Sequence, residues 1–164
     1  MLQARIAALE AVPGLGAVIF FVNAGAGAGA SLSHPHGQVL ATPAVPAVLR
    51  TELAAGRQWY ARHRRCLLCD LAAAGEARLV AADREALSWT PYASRFAWEV
   101  MVQPRRHQAR FAAASGDVLA AVAGQLGAIC RALRAAAGDP AYNLVLHTAP
   151  VGVEDFHWHL ELSE

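Results

Sequence analysis

Residues 18–38 read VIFFVNAGAGAGASLSHPHGQ, and the fold turns on how this stretch recurs. Ala17 to Val22 is an unbroken β-prone run, the pattern of a buried strand. Gly25, Gly27 and Gly29 follow in a flexible loop, and His34 to Ala41 reads as a second strand. Far along the chain, Asn143 to Thr148 (NLVLHT) and Phe156 to Leu162 (FHWHLEL) repeat the order of apolar strand, loop and His-x-His strand. The step from Asn23 to His34 is 11 positions and that from His147 to His157 is 10. A helix is expected before each copy. Leu2 to Ala11 carries Leu2, Ile6 and Leu9 on one side. Val118, Val122, Leu126, Ile129 and Leu133 recur at helical spacing behind caps at Ser115 and Asp117. Three further strands, Arg78 to Ala81, Leu87 to Thr90 and Trp98 to Gln103, precede the second helix and have no counterpart before the first. Such repetition indicates two related modules. Residues 1–62 are expected to form the C-terminal part of one, closed by a connecting helix over Val48 to about Arg62. Residues 63–164 are expected to form a complete second module, so the chain reads as the C-terminal portion of a longer two-module protein.

Composition narrows the function classes. Of 164 residues, 55% are apolar and 16% charged, enough to bury a sizeable core. A formal net charge of +1 excludes a strongly basic nucleic-acid binder, and no nucleic-acid partner is expected. The stretch nearest to a membrane span, Val12 to Leu32, is broken by Pro13, Asn23 and dense glycine, so no membrane partner is expected. Arg5 and Glu10 interrupt any signal-peptide layout. Three cysteines make no secreted disulfide framework, and the C-x-x-C pair Cys66 and Cys69 points to a reducing compartment, the cytoplasm.

The motifs carry the chemistry. Strand alternation would point His34, His36 and Gln38 to one face. Two imidazoles and an amide beside a glycine-rich loop suit an anion, because glycine lets a phosphate approach the backbone N–H groups. Asn23 and Ser31 flank the loop as further donors. A neutral imidazole is also a nucleophile toward phosphorus, forming a covalent phosphoramidate. Cys66 and Cys69 place two thiolates on what reads as one tight turn, half of a tetrahedral zinc site. His107, and His157 or His159, are candidates to complete it. A thioredoxin-like role is disfavoured, since no strand leads into the pair and no helix follows it. A second constellation, Glu52 with His147, His157 and His159, forms if the connecting helix lies across the second sheet; His157 and His159 would share a strand face with Glu161. Cys130 reads as core, His63 as part of a solvated charge run, and Trp89, Trp98 and Trp158 as core or interface.

The run FFVNAGAGAGASLSHPHGQVLATPAVP, with SWTPYASRFAWEVMVQPRRHQARF, LHTAP and FHWHLEL, resembles the galactose-1-phosphate uridylyltransferases of the histidine triad superfamily. The resemblance implies an α+β fold of histidine-triad-like antiparallel sheets with flanking helices, one partial module followed by a complete one. It implies a ping-pong nucleotidyltransferase acting on a nucleotide sugar and a hexose 1-phosphate, and a homodimer. His36 would be the nucleophile. Gln38 would bond the phosphoryl oxygens, and Asn23, Gly29 and Ser31 would help bind them. His34 would ligate the structural zinc of the first module, whose C-x-x-C pair precedes the matching region and is absent from these residues. The CLLCD pair is more similar to the ADP-glucose phosphorylase branch, which implies zinc on Cys66, Cys69, His107 and His157. The uridylyltransferases proper imply instead a metal on Glu52, His147, His157 and His159. Both sets need His157, and the thiolate preference of zinc selects the cysteine set. Gln38 following His36 argues against the hydrolytic histidine-triad branch, which has histidine there.

Overall fold

The computed structural model describes residues 1–74 and 76–164. In chain order the elements are α1 (Leu2–Glu10), β1 (Ala17–Ala24), β2 (His36–Thr42), α2 (Ala47–His63), α3 (Leu67–Ala73), β3 (Leu79–Ala82), β4 (Ala86–Trp89), β5 (Val100–Pro104), α4 (Gly116–Ala137), β6 (Tyr142–His147) and β7 (His159–Ser163). The strands form one antiparallel sheet in the order β2-β1-β6-β7-β5-β4-β3. The α+β class expected from the sequence is the one found.

The sequence repeat appears as a two-fold in the sheet. β1 and β6 pair antiparallel through Phe20↔Leu146 and Val22↔Leu144, symmetric about Phe21↔Val145. β2 flanks β1 as β7 flanks β6. Asn23 faces His36 in the first copy, and His147 faces His159 in the second. One strand pattern is therefore used twice, with different side chains at corresponding positions.

Strand alternation divides the two faces. Trp158, Leu160 and Leu162 point into the main core with Ile6, Val102, Val122, Ile129 and Leu146. His159 and Glu161 point to the opposite face, toward α2. There a small second cluster joins Ala17, Leu49, Ala149 and Phe156. Each fully buried aliphatic or aromatic side chain contributes about 1.5–3 kcal/mol. α4 is long and apolar enough to cross a membrane by length and composition, a feature the sequence reading did not single out. In the fold its Val118, Val122, Ile129 and Leu133 are buried against the sheet.

α4 begins where expected: the Ser115 hydroxyl accepts a hydrogen bond from the Val118 N–H at 3.3 Å. Ser115→Ala should lower the urea midpoint by an amount equivalent to about 1 kcal/mol. Asp83 organises the β3–β4 turn. Its carboxylate accepts hydrogen bonds from the N–H groups of Ala86 and Glu85, each at 2.8 Å, and from Gln125 of α4 at 2.9 Å. The Ala86 N–H bond, then those from Gln125 and Glu85, hold its pKa below the usual carboxylate value. With the folded value depressed, its stabilisation is present above about pH 4 and fades as the pH falls through the folded value. Asp83→Asn should flatten that acid limb in urea titrations run at several pH values.

The CLLCD segment departs from expectation. It is not a turn but the start of α3, with Cys66 at the N-cap position and Cys69 in the first turn. A seven-residue helix is too short for apolar periodicity to be read. Tertiary contacts hold it: Trp59 of α2 donates to Asp70 at 2.8 Å, and Arg65 pairs with Asp70 at 2.7 Å. The argument that no helix follows the cysteine pair therefore fails, although the element leading into it is indeed a helix and not a strand.

Candidate active site and metal centres

His36 is the first residue of β2, half-buried at the open edge of the sheet. Its Nδ1 lies 3.3 Å from the carbonyl oxygen of His34. A carbonyl only accepts, so Nδ1 carries the proton and Nε2 keeps its lone pair. The neighbouring strand places Asn23 directly opposite, and Gln38 lies two residues along β2. Gly37, between the two, is required by packing: a Cβ there would lie 2.4 Å from the Phe20 ring. Gly29 takes a left-handed φ of 78° as the glycine loop closes near the Asn23 side chain. His34 and Ser31 are exposed in the loop before β2. His34 is thus not on the strand face shared by His36 and Gln38, because the strand starts two residues later than the alternation suggested. Among the described residues His34 belongs to no cluster of metal-ligating side chains.

Cys66, Cys69, His107 and His157 come together, with one ligand atom from each lying within 4.8 Å of the others. The His157 Nδ1 is 3.7 Å from the Cys66 sulfur and 3.4 Å from the Cys69 sulfur. Its Nε2 lies 3.1 Å from the Pro104 carbonyl, which again only accepts. The ring proton therefore sits on Nε2, and the Nδ1 lone pair faces the sulfurs. This is the arrangement by which an outer partner orients a metal-binding imidazole. Hydrogen bonding to Cys69, and then to His107 and His157, pulls the Cys66 thiol pKa down, while Cys66 in turn pushes Cys69 up. The His107 pKa is raised, chiefly by its hydrogen bond with Cys66. Two sulfurs and two imidazole nitrogens on a short helix, a loop and the approach to β7 fit tetrahedral zinc.

The second constellation differs from the sequence reading. His157 is committed to the sulfur cluster, and Glu161 takes its place: Glu52, His147, His159 and Glu161 form a separate group with ligand atoms within 4.8 Å of one another. The two sets therefore share no residue, and the conflict over His157 disappears. The signal was present in the strand alternation of His159 and Glu161, but Glu161 was read only as a neighbour. Burial disfavours the charged form of His147, yet Glu52, 2.8 Å away, outweighs it and raises the pKa. His159 is fully enclosed, and burial pushes its pKa down to about 4.

A cavity of about 950 Å³ lies between α2, α3 and the sheet, bordered by Trp89, Met101, Phe156 and residues of both clusters. His36 does not line it. Other side chains depart from simple surface or core roles. His63 stacks on Trp59 at 3.8 Å between ring centroids, whereas Trp89 and Trp158 are buried as expected. Trp98 is 48% exposed with φ 56°, and Cys130 packs half-buried against the core.

No family profile matches the chain. A galactose-1-phosphate uridylyltransferase of Thermotoga maritima is 32% identical over 152 residues, taking in 89% of this chain and 48% of its own length. An ADP-glucose phosphorylase of Arabidopsis thaliana is 28% identical over 147 residues, with 87% and 41% covered. A solved uridylyltransferase structure superposes with TM-score 0.93 at 32% identity, covering 99% of this chain and 52% of that one. An Arabidopsis thaliana ADP-glucose phosphorylase structure with bound ADP-glucose gives TM-score 0.90 at 26% identity, covering 99% and 54%. A HIT family protein of Bacillus anthracis, at 20% identity and TM-score 0.51 over 60% of the chain, shares the fold. The chain spans about half the length of the curated relatives it matches. Over that span the chain is a homologue of the galactose-1-phosphate uridylyltransferases and ADP-glucose phosphorylases.

Proposed function

We propose that the chain carries the nucleophile of a nucleotidyltransferase of nucleotide-sugar metabolism, of the UDP-glucose–hexose-1-phosphate uridylyltransferase type. The observation that carries this reading is the orientation of His36: Nδ1–H donates to the His34 carbonyl, leaving the Nε2 lone pair free, on a strand position directly opposite Asn23. In the first half-reaction Nε2 attacks the α-phosphorus of the donor. A P–N bond forms, the bond from that phosphorus to the bridging oxygen breaks, and hexose 1-phosphate leaves with the electron pair. In the second, a phosphate oxygen of another hexose 1-phosphate attacks phosphorus and the imidazole departs neutral at Nε2. The hydrogen bond to His34 holds the ring and stabilises the positive charge it carries while phosphorylated. Asn23, Ser31, Gln38 and the Gly29 loop are assigned to the phosphoryl oxygens, as neutral donors suited to an anion.

An ADP-glucose phosphorylase-type adenylyltransferase, with inorganic phosphate as acceptor, is the second reading; the sulfur-containing cluster at the head of α3 favours it. Zinc is assigned to Cys66, Cys69, His107 and His157, where it would tie α3 to the sheet. Free thiols there suit a reducing compartment, the cytoplasm. Residues 1–62 are assigned to the end of a first module and residues 63–164 to a second, in keeping with the two-fold in the sheet. The remaining walls of the His36 site, which lies outside the 950 Å³ cavity, are assigned to the additional length of the relatives. Incubation with UDP-glucose and ADP-glucose, each labelled in the α-phosphate, tests the reading and separates its two forms by which donor leaves label on the protein.

A further inference from the structure

We infer that Asn143 and Ser163 extend the His36 site into a subsite for sugar hydroxyls, so that a phosphorylated sugar is held by its phosphate at His36 and Asn23 and by its hydroxyls further across the sheet. The inference rests on the nucleotidyltransferase reading for the role of His36 and names two residues that reading does not use.

Three observations carry it. First, cross-strand partners present their side chains on one face, and the register lines up four polar residues. His36 of β2 faces Asn23 of β1, Asn23 faces Asn143 of β6, and Asn143 faces Ser163 of β7. All four are half-buried, so each polar end is open to a ligand. Neighbouring strands stand about 4.8 Å apart, which puts Asn143 about 10 Å from His36 along the row and Ser163 about 5 Å beyond it. A phosphoryl group held between His36 and Asn23 thus has Asn143 within reach of whatever is esterified to it. None of the four borders the apolar cavity between α2, α3 and the sheet.

Second, the row is polar in one copy only. The two-fold that carries His36 onto His159 and Asn23 onto His147 carries Asn143 onto Ile19 and Ser163 onto Leu40. Ile19 and Leu40 face each other as Asn143 and Ser163 do. The same backbone positions therefore accept two aliphatic side chains, and pairing in the sheet does not ask for an amide and a hydroxyl. Asparagine is disfavoured in strands, so its use at Asn143 works against the local fold.

Third, the glycine loop borders the row. A Cβ at Gly25 or Gly27 would lie 3.1 or 3.2 Å from the Ala141 side chain. The loop that closes near Asn23 therefore also lies against the residue two positions before Asn143, and its main-chain N–H groups adjoin the row.

The side-chain chemistry selects the ligand class. An amide offers two donors and an acceptor, a hydroxyl one donor and two lone pairs, and neither is charged. Such groups match sugar hydroxyls, which also donate and accept. Asn143 and Ser163 offer neither a cation for a second phosphate nor a ring on which a base could stack. A hexose 1-phosphate and the ribose of a 5′-nucleotide share this chemistry, and the test separates them.

The test is nuclear magnetic resonance of the ¹⁵N-labelled chain titrated with inorganic phosphate, glucose 1-phosphate and uridine 5′-monophosphate. The Asn143 side-chain NH₂ pair, assigned by through-bond correlation, should shift with a sugar phosphate and stay in place with inorganic phosphate. The Asn23 pair should shift with all three. Whichever sugar phosphate moves Asn143 identifies the sugar. That ligand should bind about tenfold more tightly than inorganic phosphate, the value of one or two hydrogen bonds. Asn143→Ala should remove this advantage and leave phosphate affinity unchanged; should it fail to fold, Ser163→Ala should reduce the same advantage. An Asn143 pair that never moves, or moves equally with inorganic phosphate, overturns the proposal, as does an advantage that survives both substitutions. Covalent labelling of the same protein keeps the two readings apart. A sugar-dependent shift without label removes the transfer chemistry and leaves the subsite; label without that shift removes the subsite alone.

Discussion

Cys66→Ser should lose one equivalent of zinc and much of the cooperative stability of residues 63–110. A structural zinc site of this type contributes apparent binding energy on the order of 10 kcal/mol. The net stability of a whole domain is only about 5–15 kcal/mol, so the loss reaches far beyond a surface substitution. The reason lies in how little else holds α3. No residue of this seven-residue helix is fully buried, and Leu71 remains 42% exposed. Its other anchors are the Trp59 and Arg65 contacts to Asp70, which lead to α2 and to the link that follows it, not to the sheet. The metal ligands alone tie it to His107 and His157. A strong chelator should therefore reproduce the effect of the substitution, and both should fade in acid, where the thiols and imidazoles take up protons. Zinc content by elemental analysis and hydrogen exchange along α3 are the measurements. Unchanged zinc together with unchanged exchange would falsify the assignment.

The sequence was readable wherever one element carried its own pattern. The period of Val118, Val122, Ile129 and Leu133 announces α4, and the β-prone runs announce β1, β2 and β6 within a residue or two and β7 within three. Their repetition indicates two related modules. It did not announce that both copies share one sheet, because strand pairing between β1 and β6 joins residues more than a hundred positions apart, and alternation is blind to partners. The helix α3 was missed because its formation depends on tertiary contacts, and no seven-residue periodicity betrays that. The metal sets show the same limit. Residue type and spacing offered Cys66, Cys69 and His107 with His157 or His159, and the family resemblance selected His157; these four side chains do come together. Neither spacing nor resemblance could say which ring nitrogen of His157 or His159 faces which cluster. That choice is made by two backbone carbonyls, of Pro104 and His157, and main-chain oxygens have no letter in a sequence.

His36→Gly should abolish covalent labelling by a nucleotide sugar. Losing a nucleophile is among the largest single effects in enzymology, on the order of 10⁶-fold where the residue forms the covalent intermediate. The effect should be chemical and not structural. His36 is at a strand end and only half-buried, so its removal opens no core cavity, and the urea midpoint should hardly move. Asn23→Ala offers the contrast. It removes one donor beside the nucleophile, and labelling should slow by about tenfold to a hundredfold, the value of one or two hydrogen bonds to a charged group. A further signature is chemical. A phosphorus–nitrogen bond to imidazole survives alkali and breaks in acid, unlike a serine phosphoester, so the label on the unsubstituted chain should be released by acid and retained in base. Undiminished labelling of His36→Gly would remove this residue as the nucleophile. Absence of label on the unsubstituted chain with both UDP-glucose and ADP-glucose would show that these 164 residues do not transfer a nucleotide unaided. The catalytic reading then requires walls supplied by the half of the relatives' length that lies outside the match. Acid-labile label that appears with one donor and disappears with His36 would place the nucleophile at the head of β2, where a single carbonyl has set its tautomer.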